Sequence, residues 1–171
     1  SPPDLSPPLR GRGKQEPDPG PLPFLEHVLV HEPGRHLVAE CELDVARHPF
    51  LLDHTFFGRN LSVNDPALTA LPVMPLAMTL ELMAEAVVTL RPGAGIAAVR
   101  DVRTLRWLAF ETPSRRVRME ATACEDGAVQ VAVCEADREG MSAEVARAVF
   151  ELSAGEPDLG GPTVPDTAAA P

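Results

Sequence analysis

The sequence predicts an α+β domain in which a curled antiparallel β-sheet wraps around one long helix. The segment from Pro75 to about Leu90 has apolar residues on almost every side, which is typical of a helix surrounded by protein. Candidate strands flank this helix in the chain, and several of them alternate apolar and polar residues, as half-buried strands do. One buried helix followed by an antiparallel run of strands favours this architecture.

The limits of the helix are marked by residues that start and stop helices. Pro75 suits the first helical position, where its missing N–H is not needed. The run 91–93, Arg-Pro-Gly, ends the helix. The last three of its polar residues lie on one line at a spacing of four, and the full set is Thr79, Glu81, Glu85 and Thr89.

Six segments are candidate strands, bounded by turn residues at 32–34, at Gly127 and at 139–140. The last three of them alternate apolar and polar residues. The predicted strands are Phe24–Val30, His36–Val45, Ala97–Trp107, Val117–Thr122, Val129–Cys134 and Val145–Leu152.

The length and composition indicate one domain between two linkers. The chain has 171 residues, which suits a single domain, and its 19 prolines are concentrated at the two ends. Residues 1–22 and 155–171 have too little apolar surface to offset the entropy of ordering, so we predict flexible linkers there. Residues 23–154 are then the structured domain, and we expect it to be one module of a longer polypeptide.

Charge and cysteine usage exclude several classes of protein. The net charge of -10 argues against binding to nucleic-acid phosphates or to an anionic membrane surface. No run of apolar residues is long enough for a membrane-spanning helix. Cys41, Cys124 and Cys134 form no CxxC pair, so we interpret them as small core residues of a cytoplasmic protein rather than as metal ligands. We expect no metal site.

The stretch from residue 48 to residue 85 carries the candidate chemistry. His54 follows Asp53 in a segment without helical or strand periodicity, and Gly58 lies four residues later, where backbone can approach a ligand closely. Glu81 lies two turns into a nearly apolar helix, where a carboxylate is costly unless it is used or paired. A histidine can remove a proton near neutral pH, and a desolvated carboxyl group can stay protonated and act as an acid.

This stretch resembles the dehydratase domain of modular and iterative polyketide synthases, specifically its first hot-dog half. That family has the motif HxxxGxxxxP, and His54 with Gly58 matches its first part. The preceding HPxLxDH run, beginning at His48, is also similar, as are the flanking segments on both sides. The resemblance covers about residues 23–153, and it implies a single hot-dog fold.

The chain also departs from this family pattern. Val63 stands where the motif has its proline, and the proline that opens the helix comes later, at Pro75. Segments 64–66 and 73–75 resemble pieces of the free-standing 3-hydroxyacyl-carrier-protein dehydratases, whose catalytic glutamate has the offset that Glu81 occupies. The second hot-dog half of the polyketide enzymes, which supplies their catalytic aspartate, has no counterpart in this sequence.

The resemblance implies dehydration of a 3-hydroxyacyl thioester carried on an acyl carrier protein. His54 would be the base, the Gly58 amide would polarise the thioester carbonyl, and Glu81 is the candidate acid. Phe56, Phe57 and Pro75 are the candidate substrate-binding residues. The resemblance implies no cofactor beyond the phosphopantetheine that carries the substrate.

The expected partners are an acyl carrier protein, other polyketide synthase domains and a second hot-dog fold. A lone hot dog leaves an exposed sheet edge and half of a substrate tunnel, so we predict a homodimer or pairing with a second half. In a homodimer, His54 of one copy would face Glu81 of the other. Two alternatives remain open: a non-catalytic dehydratase-like module that dimerises or scaffolds a synthase, and a hot-dog thioesterase.

Overall fold

A computed structural model of the chain describes residues 22–56, 70–136 and 142–154. The predicted linkers fall outside these ranges except for Leu22, so their character stays a prediction. The described residues form six strands and two helices, in the order β1 His27–Glu32, β2 His36–Asp44, α1 Phe50–Asp53, α2 Leu76–Leu90, β3 Ala94–Thr104, β4 Ser114–Ala123, β5 Val129–Ala136 and β6 Ser142–Ala154.

The six strands form one antiparallel sheet in the order β1-β2-β4-β5-β6-β3. Helix α2 packs on one face of this sheet and contacts strands β2 to β6. The predicted α+β architecture, an antiparallel sheet with one long helix against it, is therefore confirmed.

Alternation along the central strands explains which face the helix covers. In β2 every second residue from Leu37 to Leu43 is buried, and the same holds for Val117, Met119 and Ala121 in β4. Successive side chains of a strand point to opposite faces, so these residues share the face that meets α2. The other face carries the charged and polar side chains.

Helix α2 is less enclosed than its composition predicts. Its C-terminal half is buried through residues such as Leu82, Met83 and Leu90, but Leu76 and Glu81 in its first two turns are exposed. Pro75 is the N-cap rather than the first helical residue, with extended backbone angles. One side of the helix start therefore faces solvent in this chain.

Besides the helix start, the sequence patterns misplaced the first strand, the segment before His54 and the third strand. Strand β1 begins three residues later than the predicted Phe24–Val30 and ends two residues later. The segment before His54 forms the one-turn helix α1, because four residues are too few to show a period. Strand β3 begins and ends three residues earlier than the predicted Ala97–Trp107. It starts directly after Gly93, whose φ of 79° continues the turn, and register shifts along its pairing with β6 interrupt the alternation.

The edge strands of the sheet carry exposed apolar residues. All of β1 is exposed, including Val28, Leu29 and Val30. Strand β3 at the opposite edge is exposed from Ala97 onward, and β3 pairs only with β6 among the described strands. Unpaired edges of this kind are sites where a further strand or a covering element can be added.

Candidate functional site

His54 lies directly after α1 and is fixed by two neighbouring segments of chain. The carbonyl oxygen of His54 accepts a 2.9 Å hydrogen bond from the backbone N–H of Val73, and Phe56 N–H donates to the carbonyl of Leu71 at 3.1 Å. Val73 in turn forms an isolated antiparallel β-bridge with Ala109. The buried Leu51 anchors α1 in the core, so the backbone at His54 is held from both sides.

The imidazole of His54 is held in one tautomer by a backbone carbonyl. Its Nδ1 lies 2.8 Å from the carbonyl oxygen of Val73, and because a carbonyl can only accept, Nδ1 must carry the hydrogen. In the neutral ring Nε2 then has the free lone pair. The side chain is exposed. This arrangement suits a histidine that takes a proton through Nε2.

An apolar groove of about 290 Å³ lies beside this segment, between the start of α2 and the chain that follows β3. Phe56 connects the two, because its ring makes an edge-on contact with Trp107 at a centroid distance of 5.5 Å. The groove is lined by Met74, Leu76, Thr79, Thr104, Leu105, Arg106, Trp107, Leu108, Val145 and Ala146.

The expected burial of Glu81 is wrong for the single chain. Glu81 is exposed on the open side of α2, so its carboxylate is not desolvated there. The buried carboxylate of this helix is Glu85, which is only 3% exposed. Sequence reasoning missed this because Glu81 and Glu85 lie on the same line of the helix, and only the packed sheet decides which of them is covered.

The buried Glu85 is hydrogen-bonded to the backbone near the start of the domain. Its Oε2 accepts a 2.8 Å hydrogen bond from the backbone N–H of Phe24, while its Oε1 is buried without a hydrogen-bond partner among the described residues. Burial raises the pKa of Glu85 above its ordinary value; the hydrogen bond from Phe24 opposes this, and the negative charge of Glu81 adds to it. Glu85 thus ties residues 24–25 to the helix, away from the groove.

The other predicted site residues have mixed outcomes. Phe56 does not line the groove, but its ring contacts Trp107, which does. Pro75 caps α2, and its carbonyl accepts hydrogen bonds from both the N–H and the hydroxyl of Thr79. Gly58 and Phe57 lie outside the described residues, so their roles stay predictions.

Several groove residues were missed at the sequence level. Trp107 and Leu105 lie within the predicted strand Ala97–Trp107 but follow the observed β3, and both are largely exposed. The signal available was that Trp107 is the only tryptophan in the sequence and directly follows a run with an arginine at every third residue, Arg100, Arg103 and Arg106. An exposed tryptophan next to a candidate catalytic loop indicates a binding surface.

Neither a metal centre nor a membrane span is found in the part of the chain that the structure describes. Its His, Cys, Asp and Glu side chains form no group of three that could hold a metal ion. Its helices are too short or too polar to cross a bilayer.

Comparison with solved structures shows which fold the described residues adopt. The dehydratase domain from the CurF module of the curacin polyketide synthase matches with a TM-score of 0.60 at 17% identity, over 78% of this chain and 44% of that one. The dehydratase domain from the terminal module of the rifamycin polyketide synthase matches with a TM-score of 0.55 at 23% identity, over 75% of this chain and 41% of that one.

A third match is a trans-AT polyketide synthase dehydratase domain from Brevibacillus brevis, with a TM-score of 0.56 at 16% identity, over 76% of this chain and 45% of that one. At these identities the likeness defines the fold, which is that of a polyketide synthase dehydratase hot dog. The chain spans less than half the length of the structures it matches, as a single hot-dog half does. No family model and no curated protein matches the sequence.

The matching structures include two variants of the CurK dehydratase described as inactive. One has a histidine replaced by phenylalanine, and the other has an aspartate replaced by asparagine.

Proposed function

We propose that this chain is the first hot-dog half of a dehydratase that removes water from a 3-hydroxyacyl thioester carried on an acyl carrier protein. The observation that carries the proposal is the 2.8 Å contact between His54 Nδ1 and the Val73 carbonyl, which leaves Nε2 free to act as a base. Met74, the residue that follows Val73, lines the apolar groove, although His54 itself does not. The fold supports the same class, and a CurK dehydratase variant in which a histidine is replaced by phenylalanine is described as inactive.

The reaction begins with removal of the proton on the carbon next to the thioester. His54 Nε2 takes this proton, and the electron pair moves into the thioester as enolate charge. The N–H of Gly58, in the position that the family motif gives it, stabilises that charge. The electrons then return to form a carbon–carbon double bond while the hydroxyl on the β-carbon leaves. That hydroxyl takes a proton from an acid, so one water is released and the histidine is left protonated.

The acid comes from a second hot-dog fold. Glu81 is exposed, so it is available to a site formed with a second copy of the chain but is not desolvated by its own fold. The alternative acid is an aspartate, as the inactive asparagine variant of CurK dehydratase suggests for that protein. The family resemblance implies that such an aspartate belongs to the second hot-dog half. Whether the acid is Glu81 of a second copy or an aspartate of a different second half, His54 supplies the base and the partner fold completes the site.

The proposed partners follow from this division of roles. The acyl carrier protein brings the substrate on its phosphopantetheine arm, and the second hot dog covers the open side of the helix start. The chemistry requires only proton transfers, so we propose no metal or redox cofactor. The cytoplasmic location expected of a polyketide synthase module belongs to the same proposal.

Deuterium exchange at the α-carbon tests the function of the base independently of the acid. The chain is incubated in D₂O with a 3-hydroxyacyl carrier protein, and mass spectrometry measures deuterium uptake at the α-carbon and loss of water. Exchange by the wild type but not by His54→Ala supports the proposal, whether or not water is lost. Exchange without loss of water places the acid in a second half. Equal behaviour of the wild type and His54→Ala contradicts the role of His54 and leaves a scaffold module.

A further inference from the structure

Two arginines are direct neighbours on the outer face of the sheet, which is the face away from α2. Arg103 on β3 is paired with Arg147 on β6, and both residues are exposed. Arg147 lies between Ala146 and Ala148, which are buried, so its side chain points away from the core. Like charges directly opposite each other destabilise a sheet. This pair therefore favours a negatively charged partner on the outer face.

A β-bulge in β3 brings Arg103 to this position. Arg100 is paired with Val149 and Arg103 with Arg147, so three steps along β3 correspond to two steps along β6. In a regular strand, residues three apart point to opposite faces, whereas the extra residue of the bulge puts Arg100 and Arg103 on the same face. Within the bulge Asp101 has a φ of 54°, the one positive value outside glycine among the described residues. Bulges of this kind re-aim side chains and are common next to active sites.

The nearest carboxylates do not balance the charge of the pair. Arg103 makes no ion pair among the described residues, and Arg147 reaches only Glu144 of its own strand, at 3.7 Å. A charge on an edge strand can serve to oppose edge pairing, but this does not explain a second arginine on the interior strand β6. Arg100, by contrast, makes ion pairs of 2.8 to 3.1 Å with three carboxylates, those of Asp101, Asp126 and Glu151.

The two arginines line an open depression of about 240 Å³ on this face. Gln130 of β5 adds a carboxamide that can donate hydrogen bonds, and Ala132, the β5 partner of Arg147, occupies little space. Asp101 is the one carboxylate in the lining, and its 2.8 Å ion pair with Arg100 offsets its charge. A guanidinium can donate two parallel hydrogen bonds to phosphate oxygens, so this combination of groups fits a phosphate.

We propose that Arg103 and Arg147 bind a phosphate group on the outer face of the sheet. Thr104 and Ala146, their neighbours in the chain, line the groove on the other face, so the sheet separates the two sites. The proposal is therefore independent of the dehydratase chemistry. The phosphate is either free inorganic phosphate or the phosphate of a phosphopantetheine arm, and the two sources can be tested separately.

Calorimetry of the whole chain with inorganic phosphate, at an ionic strength held constant with sodium chloride, should show saturable binding. Arg103→Gln and Arg147→Gln should each weaken this binding by about tenfold or more, because each removes the charge-assisted hydrogen bonds of one guanidinium. Arg118→Gln is the matched control. It removes one positive charge from the same face, but at a guanidinium that already donates to Glu40 at 2.7 and 2.9 Å, so phosphate should bind as it does to the wild type.

Thermal unfolding distinguishes a lost site from a lost fold. Without phosphate, Arg103→Gln should be at least as stable as the wild type, because the repulsion from Arg147 is gone. Added phosphate should raise the melting temperature of the wild type in a saturable way, since a ligand that binds only the folded state stabilises it. The melting temperature of Arg103→Gln should not respond.

The possible results are distinct for the site, for its ligand and for the proposed function. Absence of saturable binding, or equal weakening by all three variants, contradicts the site and leaves only a general effect of charge. If pantetheine 4′-phosphate binds severalfold more tightly than inorganic phosphate, the ligand is the phosphopantetheine arm; if it binds no more tightly, the ligand is free phosphate. Loss of α-proton exchange in His54→Ala is expected whatever these measurements give, so either proposal can fail without the other.

Discussion

Nδ1 of His54 and the carbonyl oxygen of Val73 are 2.8 Å apart, although 19 residues separate them in the sequence. Val73 also donates its N–H to the carbonyl of His54 at 2.9 Å, so a single residue holds both the backbone and the ring of the histidine. A base held by its neighbours loses less entropy when it meets its substrate. Val73 is therefore a positioning residue in the proposed site.

The first prediction concerns the tautomer of His54. Nitrogen NMR of the protein with the His54 ring in its neutral form should show the hydrogen on Nδ1 and a free lone pair on Nε2. The reason is that only Nδ1 faces the Val73 carbonyl. His54→Ala should lower the free energy of unfolding by only about 1 kcal/mol, the value of one hydrogen bond, while it abolishes α-proton exchange. A hydrogen found on Nε2 would contradict the proposed role of that atom as the base.

The second prediction concerns the buried carboxyl of Glu85, whose raised pKa makes folding depend on pH. A carboxyl with a raised folded-state pKa contributes stability below its unfolded pKa, and this contribution is lost as the pH rises through the folded value. Denaturation should be measured at a series of pH values, from below 4.5, the ordinary pKa of a glutamate, up to neutral pH. Over this range the free energy of unfolding of the wild type should fall relative to that of Glu85→Gln. The glutamine keeps a carbonyl oxygen for the N–H of Phe24.

The neighbouring Glu81 provides a control for the Glu85 experiment. Its negative charge is one of the causes that raise the pKa of Glu85, so Glu81→Gln should reduce the pH dependence without removing it. Glu85→Ala should instead cost about 1–3 kcal/mol at every pH, because the Phe24 N–H loses its acceptor. A wild type and a Glu85→Gln variant with parallel pH profiles would contradict the raised pKa.

The third prediction concerns Cys41. Its thiol is buried, and burial raises its pKa to about 12, with the charges of Glu26 and Glu85 adding to the effect. Because the thiolate is the reactive form, brief alkylation of the native protein should leave Cys41 unmodified while the partly exposed Cys124 reacts. Peptide mass spectrometry reads both sites in one experiment. Modification of Cys41 before Cys124 would contradict its burial.

Alternation and helix-stop residues predicted most of the fold. The limits of α2 were right to within one residue because Pro75 and the run 91–93 are strong local signals. Strand β3 was displaced because its pairing with β6 shifts register twice and Asp101 has a φ of 54°, features that leave no apolar period to find. Local propensity cannot report a bulge that is set by the partner strand.

The candidate site could be predicted only in part. His54 was found through its motif, but its contact with Val73 joins segments that no local pattern connects. Glu81 was chosen over Glu85 because the sequence shows a polar line on the helix without showing which end of that line the sheet covers. Trp107 was overlooked because an exposed tryptophan becomes informative only when its neighbours, Phe56 and the start of α2, are known.

The two edge strands of the sheet, β1 and β3, differ in their distance from the groove, so pairing with a second hot-dog fold would have different consequences at each edge. Strand β1 is far from the groove in the strand order, whereas β3 leads directly into the segment that lines it. Pairing at β3 would therefore cover both an open edge and the open side of the groove. Exposed Val99 and Val102 lie on this strand.

The last prediction is that the chain forms a dimer in solution through β3. Light scattering at micromolar concentration should give twice the mass of the chain. Val102→Lys should return it to the monomer, since a charge on an edge strand opposes pairing. Val30→Lys, at a similarly exposed valine of β1, should leave the dimer intact because that edge is remote from the groove. A stable wild-type monomer would contradict the prediction and would leave the proposed site dependent on a different second half. Dissociation by Val30→Lys alone would assign the contact to β1 and leave the groove open to solvent in the dimer.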